Sequence, residues 1–119
     1  MVVIALSRLR DFWLTYPDAE TPLWAWYKVV QSADWAKFAD VRATFGNASP
    51  VGYCTVFNIA GNKYRLATRV HYKTRTVYVL RTMTHNEYDD QKSWQYDCGC
   101  HNPPPPHRRK MKSNLKRRS

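Results

Sequence analysis

His85 and Tyr88 stand three residues apart, so on one helical turn their side chains share a face. An imidazole titrates near neutral pH and a phenol can donate or accept a hydrogen bond, which makes the two a candidate acid–base pair. Upstream, Lys63, Arg65 and Arg69 are separated by even numbers of residues, the spacing that puts side chains on one side of a strand. RNA offers such a set a reaction that needs no metal. Attack by a 2′-hydroxyl on its own 3′-phosphate requires a base for that hydroxyl, an acid for the leaving 5′-oxygen and cations against the charge that builds on the phosphorane. The substrate itself supplies proximity, and cations aimed at developing charge are often the largest catalytic contribution. A structural histidine and a tyrosine packed on a sheet are the plainer alternative for the same two residues.

The elements that must carry these groups can be read from the pattern around them. Thr55 to Ala60 and Lys63 to Tyr72 are rich in β-branched and aromatic residues and are joined by Gly61-Asn62, a dipeptide suited to a hairpin turn. That turn sets Ile59 opposite Tyr64, Asn58 opposite Arg65 and Phe57 opposite Leu66. One face is then Phe57, Ile59, Tyr64, Leu66 and Val70, and the other is Asn58, Lys63, Arg65, Arg69 and His71. A third strand, Thr76 to Met83, follows Lys73-Thr74-Arg75, and its register stays open. A two-residue turn sets Tyr78 and Leu80 on the basic face, whereas a three-residue turn sets Val79 and Arg81 there. Thr84 to Asp89 is expected to leave the sheet in a short helical turn.

Before the hairpin, Val2 to Ala5 reads as a short strand. Ser7 can cap a helix whose Leu9, Phe12, Trp13 and Tyr16 form one apolar face, with Pro17 ending it. Thr21-Pro22 can start a second helix, with Leu23, Trp26, Tyr27 and Val30 buried. Trp35, Phe38, Val41 and Phe45 suggest a further short helix, closed by the breaker cluster from Gly46 to Gly52.

Charge supports a polyanionic partner. The 119 residues include 19 Lys+Arg and 9 Asp+Glu, a formal net charge of +10. From His101 onward there are seven basic residues and no acid, so the body before it holds twelve basic against nine acidic residues, a net of +3. The stretch from Val41 to Asn86 contains no acid, yet it holds Arg42, Lys63, Arg65, Arg69, Lys73, Arg75 and Arg81. Five Trp, eight Tyr and four Phe argue against a wholly disordered chain. No apolar run approaches the roughly 20 residues of a membrane span, and the start is too short for a secretory signal, so a cytosolic protein is expected. In that compartment Cys54, Cys98 and Cys100 are expected to stay reduced. The Cys98-Gly99-Cys100-His101 string with His107 is a poor match to the spacing of zinc modules. No Ser-His-Asp order, phosphate-cradling glycine loop or His-Glu-x-x-His helix is present, and the scarcity of acids disfavours a two-metal nuclease.

Val56-Phe57-Asn58-Ile59-Ala60-Gly61-Asn62-Lys63-Tyr64-Arg65-Leu66, together with Val77-Tyr78-Val79 and Thr84-His85-Asn86-Glu87-Tyr88-Asp89, resembles the HigB family of toxins, a branch of the RelE-like messenger-RNA interferases. The likeness runs from about Val2 to Asp90 and includes Asp11-Phe12-Trp13, the Tyr16-to-Glu20 turn, Trp26-Tyr27 and Ala33-Asp34-Trp35. It implies an α+β, microbial-RNase-like fold: an N-terminal strand, two to three helices on an antiparallel sheet of about four strands, and a short C-terminal element. It further implies a metal-independent endoribonuclease without cofactor, acting on mRNA in the ribosomal A site. A helix-turn-helix antitoxin of the HigA type would inhibit it, and operator DNA would be met only through that antitoxin. Carried over by position, Arg65 would stabilise the phosphorane, His85 would be the acid–base group, Tyr88 would orient or stack on the target nucleotide, and Lys63 would join them in the catalytic set. Asn58, Arg69, His71 and Arg81 would contact RNA.

One departure concerns the last strand. The family usually carries arginine eight residues before the Tyr88 position, where this chain has Leu80, and Arg81 is displaced by one. Residues 1–94 are read as the toxin domain, and 95–119 as a proline-rich, basic, disordered tail in which Pro103 to Pro106 favour an extended rod. A non-catalytic RNA- or ribosome-binding module is the alternative function for the same basic face.

Overall fold

Residues 1–100 of the chain are described by a computed structural model, and the proline run and the basic residues after it lie outside the described residues. The chain opens with strand β1 (Val2–Ile4) and helix α1 (Leu6–Thr15). Ala5 occupies the N-cap position, so Ser7 lies inside the first turn and does not cap it. Pro17 starts a single 3-10 turn (Pro17–Ala19) that leads directly into α2 (Glu20–Ser32). Thr21 and Pro22 therefore sit in the first turn of α2, where a proline is tolerated because that N–H would lack a helical partner in any case. Leu9, Leu23, Trp26 and Val30 are buried along the apolar stripes of the two helices, and α3 (Phe38–Thr44) adds Val41.

Four further strands, β2 (Ser49–Val51), β3 (Cys54–Ile59), β4 (Tyr64–His71) and β5 (Thr76–Thr84), join β1 in one sheet in the order β1-β5-β4-β3-β2. The expected set of about four antiparallel strands is corrected in two ways. Ser49–Val51, inside the cluster read as a breaker, pairs with β3 as a short edge strand, β2, and its proline is admissible because edge strands need not donate every N–H. The N-terminal strand joins the opposite edge in parallel with β5. The main ladder is antiparallel: β3 (Cys54–Ile59), β4 (Tyr64–His71) and β5 (Thr76–Thr84). Phe57 lies opposite Leu66, Asn58 opposite Arg65 and Ile59 opposite Tyr64, the register expected from Gly61-Asn62. Ala60 and Gly61 both take positive φ there, and the Lys63 N–H closes the turn on the Ala60 carbonyl at 3.2 Å.

The register of β5 combines the two alternatives left open. Arg69 pairs with Tyr78, so Tyr78 lies on the basic face. A bulge then intervenes: Thr68 pairs with Val79 but Ala67 with Arg81, leaving Leu80 as the extra residue. Because a bulge moves the following residues by one place, Arg81 also falls on the face that carries Arg65. The displacement of arginine from position 80 to 81 is thus compensated by the backbone.

The two faces of the sheet are covered differently. Phe57, Ile59, Tyr64, Leu66, Val77 and Val79 pack with Leu9, Leu23, Trp26, Val30, Trp35 and Val41 into the main core. On the basic face, a second cluster joins Cys54, Val56, Ala67 and Met83 to Trp94 and Cys100. Trp94 belongs to helix α5 (Gln91–Cys98), which follows the five-residue helix α4 (His85–Asp89). The 94/95 line drawn from composition passes through α5, and Cys100 is buried. The expectation of three reduced thiols is corrected as well, because Cys54 and Cys100 form a disulfide across 46 residues. Gly99, at φ 71°, turns the chain back after α5, and the Tyr53 N–H bonds the Cys100 carbonyl at 2.8 Å, which sets the two Cα atoms 5.1 Å apart.

Candidate active site

α4 places His85 and Tyr88, and its geometry comes from a reciprocal cap. The Glu87 N–H donates to Thr84 Oγ1 at 3.3 Å, while Glu87 Oε1 accepts from the Thr84 N–H at 2.9 Å. This capping box matters because α4 has no buried residue to hold it in place. The Thr84 N–H is the main reason that the Glu87 carboxyl lies below the usual glutamate range, with Arg81 adding to it.

His85 is half-exposed, and its Nδ1 lies 3.1 Å from the Asp89 carboxylate one turn on. The pair is ionic when the imidazole is protonated, and Nε2, the ring nitrogen not facing Asp89, is the atom that would take or give a proton at a substrate. Tyr88 faces back to the sheet. Its ring lies beneath the Arg65 guanidinium, 5.2 Å away, and stacks on Trp94 at 5.3 Å with planes 25° apart. Arg65 also donates to the carbonyls of Asn62 at 2.8 Å and Tyr64 at 3.3 Å. Among the described residues its charge is thus met by carbonyls and a ring, an arrangement that leaves the cation available to a phosphate.

The other basic residues are placed less uniformly than alternation along a strand suggests. Lys63 turns away to pair with Asp18 of the 3-10 turn, whose second oxygen accepts from the Tyr64 hydroxyl at 2.6 Å. The Lys63 ammonium, then the Tyr64 hydroxyl, hold the Asp18 carboxyl below its ordinary value, and the same carboxylate raises the pKa of Lys63 and Tyr64. Asn58 bonds Asn62 across the hairpin turn at 3.1 Å. Arg81 pairs with Glu87 at 3.3 Å and approaches Asp97 at 4.0 Å, so it ties α4 and α5 to β5. Arg69 and His71 lie further along β4; four residues of strand separate Arg69 from Arg65 by about 13 Å. Arg69 donates to the Gly99 carbonyl at 2.6 Å and lies over Tyr53, and His71 meets Tyr78 edge to face.

α1 completes one side of the site. Arg8 donates to the carbonyl of the bulged Leu80 at 3.0 Å, and an open groove of about 440 Å³ runs between α1 and β5, lined by Arg8, Asp11, Tyr16, Arg81 and Glu87 among others. Neither Arg8 nor Trp94 stands out in the sequence, because each reaches the site only through tertiary packing. Arg8 meets a strand 72 positions away, and the helix of Trp94 has too weak an apolar stripe to announce itself. The arrangement is chemically simple: an unneutralised guanidinium beside a helix that presents an oriented imidazole, next to an open groove with further cations.

The chain has relatives among known proteins. It is 29% identical over 92 residues to the "mRNA interferase toxin HigB" of Escherichia coli K12, and equally to the "mRNA interferase HigB" proteins of Escherichia coli O157:H7 and Shigella flexneri. The matches cover 75% of this chain and 88% of each relative. Residues 19–91, more than half of the chain, match the HigB toxin family model, described as the RelE-like toxic component of a toxin-antitoxin system. The α+β fold agrees with that match, and the chain belongs to the HigB toxin family.

Proposed function

We propose that this protein is the toxin of a type II toxin–antitoxin pair, a cytoplasmic endoribonuclease that cleaves mRNA on translating ribosomes without a metal and is restrained by a helix-turn-helix antitoxin of the HigA type. Family membership and relatives named mRNA interferases support the class of activity. The observation that carries the mechanism is the Arg65 guanidinium, met by a ring and carbonyls, beside the helix that holds His85 against Asp89.

In this reading, His85 Nε2 exchanges the proton at the reacting oxygens while Asp89 keeps the imidazole oriented. Arg65 neutralises the charge that accumulates on the phosphorane, and Tyr88 holds Arg65 in place. Arg81 and Arg8 border the groove along which RNA would lie, and Arg69 and His71 extend the basic track along β4. Lys63, tied to Asp18, fastens the start of β4 to the 3-10 turn in this reading and does not meet the phosphate.

The proposal is tested by expressing the chain alone and with the small helix-turn-helix protein encoded beside it. Growth arrest relieved by that partner is expected. Protein pre-treated with a chelator and then freed of it should cleave reporter mRNA as fast as untreated protein, and loss of cleavage restored by a divalent cation would refute the metal-independent mechanism. Persistent RNA binding with no cleaved product would instead favour a binding module.

A further inference from the structure

We propose that α5 is a clamp on the active site, latched by the Cys54–Cys100 disulfide, with Trp94 as the positioning residue that fixes Tyr88 and, through it, the Arg65 guanidinium. The inference rests on the assignment of Arg65 to the scissile phosphate and adds a control to it, because α5 begins where the family match ends.

Trp94 holds Tyr88 twice. Its indole N–H donates to the Tyr88 carbonyl at 2.9 Å and its ring stacks on the Tyr88 ring. Tyr88 needs this support, since α4 is five residues long and buries none of them. Trp94 is itself anchored, only 1% exposed, among Val56, Ala67 and Met83 of the sheet. One side chain thus transmits the position of the sheet to Tyr88 and from there to Arg65, 5.2 Å from the ring.

The C-terminal end of α5 is fastened at three points. Gly99 adopts the left-handed conformation that ends the helix, with Gly99 N–H to Tyr96 at 3.2 Å and Cys100 N–H to Gln95 at 2.9 Å. Beyond that turn, Arg69 grips the Gly99 carbonyl, Tyr53 grips the Cys100 carbonyl, and the disulfide joins Cys100 to the first residue of β3. The covalent fastening is the one that chemistry can switch. A cellular dithiol attacks one sulfur of the bond, releasing one cysteine as a thiol. The dithiol's second thiol then resolves the mixed disulfide, releasing the other cysteine while the dithiol becomes a cyclic disulfide. Two electrons and two protons pass from the dithiol to the cysteines. Intracellular disulfides are mostly of this transient, redox-sensing kind, and here the bond closes directly beneath the helix that carries Trp94.

The test measures kcat and KM on a reporter mRNA in programmed ribosomes, with and without dithiothreitol, for the wild type, Trp94→Ala, Trp94→Phe, Cys54→Ser and Arg65→Ala, each checked for folding by circular dichroism. A displacement of about 1 Å at a catalytic group can cost on the order of 100-fold. Trp94→Ala should therefore lose roughly 100-fold in kcat with KM nearly unchanged, and Trp94→Phe, which keeps a ring but lacks the N–H, should retain most of the rate. Dithiothreitol should lower the wild-type kcat, whereas Cys54→Ser should start at the lower value and show no further response. A folded Trp94→Ala with wild-type kcat overturns the positioning role. If Trp94→Ala does not fold, the phenylalanine variant and the dithiothreitol response decide, and a wild-type kcat unaffected when thiol titration shows the buried bond to be reduced overturns the latch. If Arg65→Ala itself cleaves normally, the assignment of Arg65 is what fails, whatever Trp94 does.

Discussion

Removing the Thr84 hydroxyl isolates the contribution of the α4 cap. Thr84→Ala deletes the acceptor for the Glu87 N–H at a helix that buries no side chain, and it leaves the Thr84 N–H bond to Glu87 and the Trp94 contacts in place. Losing an N-cap of this kind costs about 1 kcal/mol. Because RT is about 0.6 kcal/mol, that shifts the balance between formed and frayed α4 roughly five-fold. His85 and Tyr88 both sit on this helix, so cleavage should fall by up to about five-fold. The effect is local, and Tm should fall by no more than about 4–8 °C. Thr84→Ser restores an acceptor and should restore the rate. Amide hydrogen exchange gives the direct reading: the Glu87 to Asp89 amides should exchange faster in Thr84→Ala, while those of β4 keep their protection. A Thr84→Ala protein with frayed α4 and undiminished cleavage would refute the view that α4 positions the chemistry. So would an equal loss in Thr84→Ala and Thr84→Ser.

Two further perturbations follow from the packing and from the Asp18 pair. The Asp18 carboxyl is held below its ordinary value by Lys63 and Tyr64, so its contribution to stability is fully present above the unfolded value of about 3.9 and lost as pH falls through the lower folded value. The same carboxylate raises the pKa of Lys63 and Tyr64, so their contributions are present below about pH 10 and lost as pH rises through the folded values. Asp18→Asn should flatten both limbs of a plot of Tm against pH, and an unchanged acid limb would contradict the pairing. Leu66, fully buried between the helices and the hairpin, should cost about 2–5 kcal/mol when changed to alanine, measured by urea denaturation, with activity lost in proportion to unfolding.

Much of this arrangement was legible from local patterns because local chemistry determined it. The Gly61-Asn62 turn constrains the pairing of Phe57 to Leu66, and a period-two pattern then sorts core from basic face. The α4 turn was readable because Thr84 and Glu87 cap it from within four residues. What stayed hidden depends on contacts between distant segments. The Leu80 bulge, supported by Arg8 from α1, brings Arg81 to the basic face, and no feature of the β5 sequence alone requires it. Likewise, Asp18, Glu87 and Asp34 come from outside the acid-free stretch to neutralise Lys63, Arg81 and Arg75, so a one-signed segment does not fold into a one-signed surface. α5 is not legible in the sequence because its anchors are Trp94, Gly99 and Cys100, and the half-cystine partner of Cys100 lies 46 residues away. Reading Cys100 as a free thiol followed from the compartment, whereas the pairing follows from the turn at Gly99 and the bond to Tyr53.

The central claim is that Arg65 and His85 form the catalytic pair of an mRNA-cleaving toxin. It is tested most directly by inducing the wild type, Arg65→Ala and His85→Ala in cells and mapping mRNA 5′ ends. New, codon-phased ends within translated regions are expected for the wild type only, with both variants folded and still bound by the antitoxin. New ends that persist in both variants, or growth arrest by the wild type with no new ends, would contradict it.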